Sequence, residues 1–146
     1  MLKKIRLAVH SNIENLDDFG LCDTDAEVTD ISAEGIMKCF DGEIKLSYKE
    51  QTEGGAVFCD IMQREGYTVV SRKGAINSFM RFAEGEEYET VYELTPYKFD
   101  MKIKTLRLKS TLAEGGGELS ILYTMTVGGA AKKVRMRISV SEVNAL

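Results

Sequence analysis

The sequence predicts an all-β protein, an antiparallel up-and-down barrel of eight to ten strands. Three observations carry that expectation. Apolar and polar residues alternate with a period of two along most of the chain, most plainly in its last third. In 118–127, Leu119, Ile121, Tyr123, Met125 and Val127 fall on one face. In 132–141, Val134, Met136, Ile138 and Val140 do the same, with Lys133, Arg135 and Arg137 opposite. Successive strand side chains point to opposite faces, so each run has one dry face and one wet face. Turn signals recur at the short, regular spacing of all-β domains. No stretch sustains a helical period, and the single Pro leaves the strands unbroken, because Pro cannot donate to a ladder.

Taken in order, the first strand covers 3–11, with Ile5, Leu7 and Val9 on one side and Lys4, Arg6 and His10 on the other. Residues 12–25 are polar and acidic, and read as a loop or short helical turn lying over a barrel mouth. The second strand covers 26–40, marked by Val28, Ile31, Ala33, Met37 and Cys39. Its phase slips between Val28 and Ile31, and Gly35 sits inside it, so a bulge or sharp bend is expected. Asp41-Gly42 between alternating runs signals a type I′ hairpin into 43–50, where Ile44, Leu46 and Tyr48 share a face. Thr52-Glu53-Gly54-Gly55 leads into 56–64, with Val57, Cys59 and Ile61 on one face and Phe58, Asp60 and Met62 on the other. Glu65-Gly66 turns into 67–73, and Gly74 separates that strand from 75–83.

After Glu84-Gly85-Glu86, the strand 87–94 carries Tyr88, Thr90, Tyr92 and Leu94 on one face, and Thr95-Pro96 ends it. Phe99, Met101 and Ile103 then run in phase, while Leu106 and Leu108 take the opposite phase. One extra residue near Thr105, a bulge, keeps the buried face continuous. Gly115-Gly116-Gly117 and Gly128-Gly129 separate the last strands. Consecutive hairpins favour pairing of sequence neighbours over the crossovers of a sandwich, and closing the meander removes both exposed edges.

At 146 residues the chain reads as one domain, 1–146, large enough to bury a core without staples. Cys22, Cys39 and Cys59 are far apart and one His completes no Cys/His zinc spacing, so free thiols and no metal are expected. Met1-Leu2-Lys3-Lys4-Ile5-Arg6 is followed by no apolar core of about 7–15 residues, so no secretory leader is expected. No run reaches the roughly 18 apolar residues of a membrane-spanning helix, and a cytoplasmic location is the expectation. The net charge of −4 divides unevenly: 1–97 holds 10 Lys/Arg against 19 Asp/Glu, and 98–146 holds 9 against 4.

Catalytic motifs are absent. There is no GxSxG, HExxH, phosphate loop or DxDxDG sequence, and no nucleophile–base or metal set can be assembled, so an enzyme and a cofactor are not expected. His10 lies on the polar face of its strand, a surface position where general-base duty would need a positioned partner.

Ser71-Arg72-Lys73-Gly74-Ala75-Ile76 through Met80-Arg81-Phe82, Tyr92 with Thr95-Pro96-Tyr97, the Lys-rich strand ending at Thr105, and the closing strand through Tyr123 together resemble the YwiB-like family of small bacterial proteins. That resemblance implies a lipocalin-like, or calycin, barrel, and no particular activity. One position departs from it: Lys98 stands where a Gly is expected after the Pro–aromatic pair.

Two binding readings follow. In the first, Arg72 and Arg81 offer planar forks to a carboxylate or phosphate at a barrel mouth, with Tyr92 and Tyr97 beside them, making a non-enzymatic protein for a small, anionic ligand. The plainer alternative pairs each Arg with a carboxylate such as Asp60 or Glu93 and leaves the tyrosines in the core. In the second, Lys102, Lys104, Arg107, Arg135 and Arg137 form a basic outer face that docks RNA or an acidic protein. The plainer alternative there is a solvated sheet face neutralised by acidic neighbours. Oligomeric state is open.

Overall fold

The computed structural model describes residues 2–17 and 22–143, the backbone alone for 22–26. Among them, ten strands run in sequence: β1 (Leu2–Leu16), β2 (Cys22–Phe40), β3 (Glu43–Thr52), β4 (Gly55–Arg64), β5 (Tyr67–Gly74), β6 (Ile76–Phe82), β7 (Glu87–Leu94), β8 (Tyr97–Ser110), β9 (Gly116–Val127) and β10 (Ala130–Glu142). Each pairs antiparallel with its sequence neighbours, and β1 pairs with β10 from Ile5↔Glu142 to Asn15↔Lys132, closing the barrel. Every ladder edge thereby has a partner strand, which answers the aggregation hazard of a long open sheet.

The inner face is the one the alternation marked. Ile5, Leu7, Leu46, Ile61, Phe82, Ile103, Leu119, Ile121 and Ile138 are all buried in one continuous cluster. Asp41 and Gly42 both take positive φ, 48° and 76°, as a type I′ turn requires. The bulge in β8 is present: Thr105 pairs with Tyr123 and Arg107 with Leu122, which leaves Leu106 as the extra residue, 41% exposed. Leu108 thereby returns to the core side. The hairpin at Thr95-Pro96 closes with Leu94 opposite Tyr97, and Lys98, where a Gly was expected, stands opposite Glu93 at 3.7 Å.

The structure corrects the first hairpin. Residues 12–16 and 22–25 are strand, not loop, and only 18–21 lie outside the described residues. Their polarity reflects a wet outer face. Asn12 pairs with Arg135 and with Val28, and Glu14 with Lys133, while Ile13 packs inward. The expected phase slip in β2 does not exist. The β1–β2 register is continuous past Val28, which points to water at 56% exposure, while Ile31 faces the core.

Gly35 is therefore not at a bulge. It is where β2 presses on β3: a Cβ there would lie 2.4 Å from the Ser47 carbonyl oxygen and 3.1 Å from the Tyr48 Cβ. The missing side chain lets the Tyr48 ring occupy the inner face opposite it.

One seam is thin. β6 and β7 pair only at Ile76↔Leu94 and Asn77↔Glu93. Beyond that the strands part, and the gap is spanned by Thr90 Oγ1, which donates to the Phe79 carbonyl at 2.7 Å, and by the Phe79–Tyr88 ring contact at 6.2 Å.

Gly35→Ala should lower the urea midpoint by an amount worth about 1–3 kcal/mol, the usual cost of forcing atoms into a packed wall. Gly115→Ala, where a Cβ meets nothing within 4 Å, should leave the midpoint unchanged. Equal midpoints for the two variants would show that the β2–β3 contact is not tight.

Candidate functional site

Register arithmetic builds the site. The two-residue turn Glu65-Gly66 sets Arg64 opposite Tyr67, and counting back along both strands sets Cys59 opposite Arg72. The turn at 53–54 sets Tyr48 opposite Cys59 by the same count, and β6 places Ser78 on the other side of Arg72. Directly paired antiparallel residues share a face. Gly35, Tyr48, Cys59, Arg72 and Ser78 thus form one row across β2 to β6 on the inside of the barrel. Tyr92 stands next to Ser78, one residue beyond the Asn77↔Glu93 pair, and itself packs against the core.

Arg72 lies two residues below Gly74, where the chain turns at the rim. Asn77 fixes that turn, accepting from the Gly74 N–H at 3.2 Å and donating to its carbonyl at 3.0 Å. The guanidinium is therefore set just inside one end of the barrel. Its Nε is buried and has no hydrogen-bond partner, and Arg72 makes no ion pair within 4 Å among the described residues. Ser78 Oγ, beside it, is also buried without a partner. Glu50, whose Oε2 is 4.0 Å from Cys59 Sγ, is the acid that acts on this cluster.

The electrostatics favour donors. Burial pushes both the Tyr48 hydroxyl and the Cys59 thiol to hold their protons more tightly than usual; Cys59 and Glu50 add to the effect on Tyr48, the Tyr48 hydrogen bond eases it on Cys59, and Arg72 pulls against both. Tyr123, reached across the barrel interior and in tilted contact with Phe82 at 4.7 Å between ring centres, is pushed up to about 12 by burial, with Arg72 again opposing. Burial works against the Arg72 charge, yet Tyr48, Cys59 and Glu50 outweigh it and keep the guanidinium ionised. At neutral pH the row thus presents a cation, one phenol hydroxyl, a serine hydroxyl and a thiol, with the Tyr123 hydroxyl facing it across the interior. A protonated, buried thiol is not an activated nucleophile.

The other expected anchors lie elsewhere. Arg81 stands on the outer face, pairs with Glu86 at 2.7 Å and covers the Tyr67 ring at 4.7 Å. Phe79, which made its strand look apolar on both sides, is an exposed outer residue, so Arg81 takes the wet phase with it. Tyr97 is 63% exposed at a hairpin end. Asp60 pairs with neither Arg; it accepts from Ser47 Oγ at 2.6 Å on the outer face. Tyr48, Cys59, Ser78 and Glu50 were not singled out from the sequence, and the two-residue turns flanking β4 are the signal that finds the first two. Among the basic residues, Lys102 is engaged with Glu87 at 3.2 Å, whereas Arg107, Arg135 and Arg137 are exposed and make no such pair with any described residue. His10 is on the surface, its Nδ1 2.5 Å from Asp30. Cys59 is a free thiol, and the Cys22 side chain lies outside the described residues. Among the described residues, no group of three or more His, Cys, Asp or Glu is placed to hold a metal.

Alkaline pH tests this burial. A tyrosine whose folded pKa lies above its ordinary 10.0 contributes stability that is intact below pH 10 and lost as pH climbs through about 12. Wild type should lose stability over that window, and Tyr123→Phe should lose about 2–3 kcal/mol less, as read from urea midpoints at pH 9 and pH 12. Identical losses in both proteins would mean that Tyr123 ionises as easily folded as unfolded.

Comparison with known proteins supports the same barrel. The chain is 31% identical over 124 residues to the uncharacterized β-barrel protein YwiB of Bacillus subtilis (strain 168), covering 85% of this chain and 82% of that protein. The crystal structure of the ywiB protein from Bacillus subtilis superposes with a TM-score of 0.86 at 29% identity, covering 98% of this chain and 94% of that one. The model of a domain of unknown function, DUF1934, matches residues 21–138. With that span and that relative, the chain belongs to the DUF1934 family of uncharacterised β-barrel proteins.

Proposed function

We propose that the protein is a non-enzymatic binding protein for a small anion, held at the end of the barrel where Arg72 sits. The observation that carries this reading is the guanidinium itself. It is half-buried with its Nε fully enclosed, remains charged, and has no carboxylate within ion-pair distance among the described residues. A buried charge without a partner is costly, and a site that keeps one gains by recruiting an anion. The neighbouring groups are suited to the task, since Tyr48 and Ser78 can donate to the same oxygen atoms and Arg offers two parallel N–H bonds. Tyr92, half-buried next to Ser78, supplies an apolar ring beside the anion. Arg81 and Tyr97 have no part in this site.

Arg72→Met replaces the guanidinium by an apolar chain of similar length. On the binding reading the variant keeps or gains stability and loses the response to ligand. Thermal melts with inorganic phosphate, acetate and citrate are the check: at least one should raise the wild-type Tm and leave that of Arg72→Met unmoved. If Arg72 instead serves as a structural counterion for Glu50, its removal should cost about 3–5 kcal/mol, as breaking a buried pair does, and no anion should shift the wild type.

A further inference from the structure

The register of the last strands gathers a second set of cations on the outside of the barrel. β8 is matched by β7 only from Tyr97 to Lys104, so its upper lysines face acids: Lys98 opposes Glu93, Lys102 opposes Glu89 and Lys104 opposes Glu87. Past the Leu106 bulge β7 is gone. Arg107 and Lys109 look instead along the rows of β9, β10 and β1. One row reads Arg107, Leu122, Arg135, Asn12, and the next reads Lys109, Ser120, Arg137, His10.

Four exposed cations therefore occupy the corners of a rectangle about 10 Å across and about 7 Å along, from the spacing of strands and of alternate residues. None of them makes an ion pair with a described residue, and the nearest acid in the second row, Asp30, is already taken by His10. The surface between them is concave, a groove of about 400 Å³ lined by all four.

We infer that this groove, walled by Arg107, Lys109, Arg135 and Arg137, binds the phosphodiester backbone of a single-stranded nucleic acid. Like charges held this close raise each other's energy unless an anion lies among them. Arg135 and Arg137, alternate residues of one strand, are spaced on the order of neighbouring phosphates in an extended chain, and Arg107 and Lys109 repeat that spacing on the far side. A protein partner fits less well, because, of the groove's apolar residues, Ile121 and Met136 are buried in the core and Leu122 is half-buried, and its ring, His10, is held by Asp30. A duplex is stiff and meets a convex barrel wall along a narrow line, whereas a single strand bends to follow the groove. With His10, already held by Asp30, as the one ring among the described residues of the groove, binding takes its energy mainly from phosphates and depends little on sequence.

The test uses the full chain and fluorescently labelled oligo(U) and oligo(dT), with a duplex RNA of equal length and a poly-glutamate peptide as competitors. Four phosphate contacts on a single strand imply an affinity that falls about 50-fold between 50 and 200 mM salt. Oligo(U) and oligo(dT) should bind alike, both better than the duplex, and poly-glutamate should compete poorly. Arg135→Gln with Arg137→Gln should weaken binding at least about tenfold and flatten the salt dependence, with the melting curve unchanged. Lys98→Gln, on the neutralised part of β8, should bind as wild type. The inference is overturned if oligo(U) fails to bind at 50 mM salt, if the wild-type affinity is insensitive to salt, if the double variant binds as tightly as wild type, or if poly-glutamate or the duplex binds better. Because the salt dependence is read on the wild-type protein, it stands whether or not the double variant folds. None of these outcomes depends on Arg72, so the result is independent of the luminal site.

Discussion

The hydrogen-bonded ladder runs all the way round, and that closure decides where every side chain goes. Around a closed wall, a slip of one residue in any pair of strands would exchange the inner and outer faces of the whole strand. Short turns of defined length set each register in turn, and the inner face then fills with Ile, Leu, Val and Phe side chains to a continuous core. Arg72 is inside because the turn at Glu65-Gly66 leaves it no other phase. Its strand neighbours Thr68 and Val70 are buried with it, Thr68 Oγ1 without a partner. Polar atoms enter this interior as a consequence of register, and the Arg72 row is where they meet.

On the outside, the same registers sort charge. The acidic strand β7 lies against the upper half of β8 and pairs with its lysines, with ion pairs at Lys98–Glu93 and Lys102–Glu87. Exposed pairs of this kind contribute little to stability individually. Their effect is to leave the chain's basic character concentrated where β7 does not reach. The uneven division of charge between the two parts of the sequence is therefore half cancelled, and the uncancelled half is local. The anionic net charge of −4 and a basic groove coexist without contradiction.

Much of the fold is legible in the residues, because strand periodicity and turn chemistry are local signals. Leu106 shows this well: its phase conflict with Ile103 is the bulge that the structure contains. The failures share a cause. Asn12 to Leu16 looked like loop because polarity was read as lack of structure, when it marked a wet face. Val28 was counted as core although it lies at an outer position, and a false slip followed. Arg81 read as the stronger anchor because Phe79, Met80 and Phe82 are all large and apolar, and with Val69 and Val70 both buried beside Arg72, neither strand declares its phase by itself. Only pairing across Glu65-Gly66 to Val57, Cys59 and Ile61, whose phase is plain, separates them. The pairing of Lys102 and the freedom of Arg107 depend on where β7 stops, which is a property of the tertiary arrangement and leaves no mark in β8.

The junction of β1 with β10 joins the two ends of the chain, and Val143 extends it by donating to the Lys4 carbonyl at 3.0 Å. Contacts between the extremes of a sequence are the most expensive in loop entropy and form late, so this cylinder belongs with the slow folders. On the ribosome β1 emerges before β10, and the flank of its backbone that β10 covers stays bare until the eight strands between them and β10 itself have followed. Lys4 and Arg6, protruding from that flank, are the kind of charged guards that keep a waiting edge from pairing with a stranger.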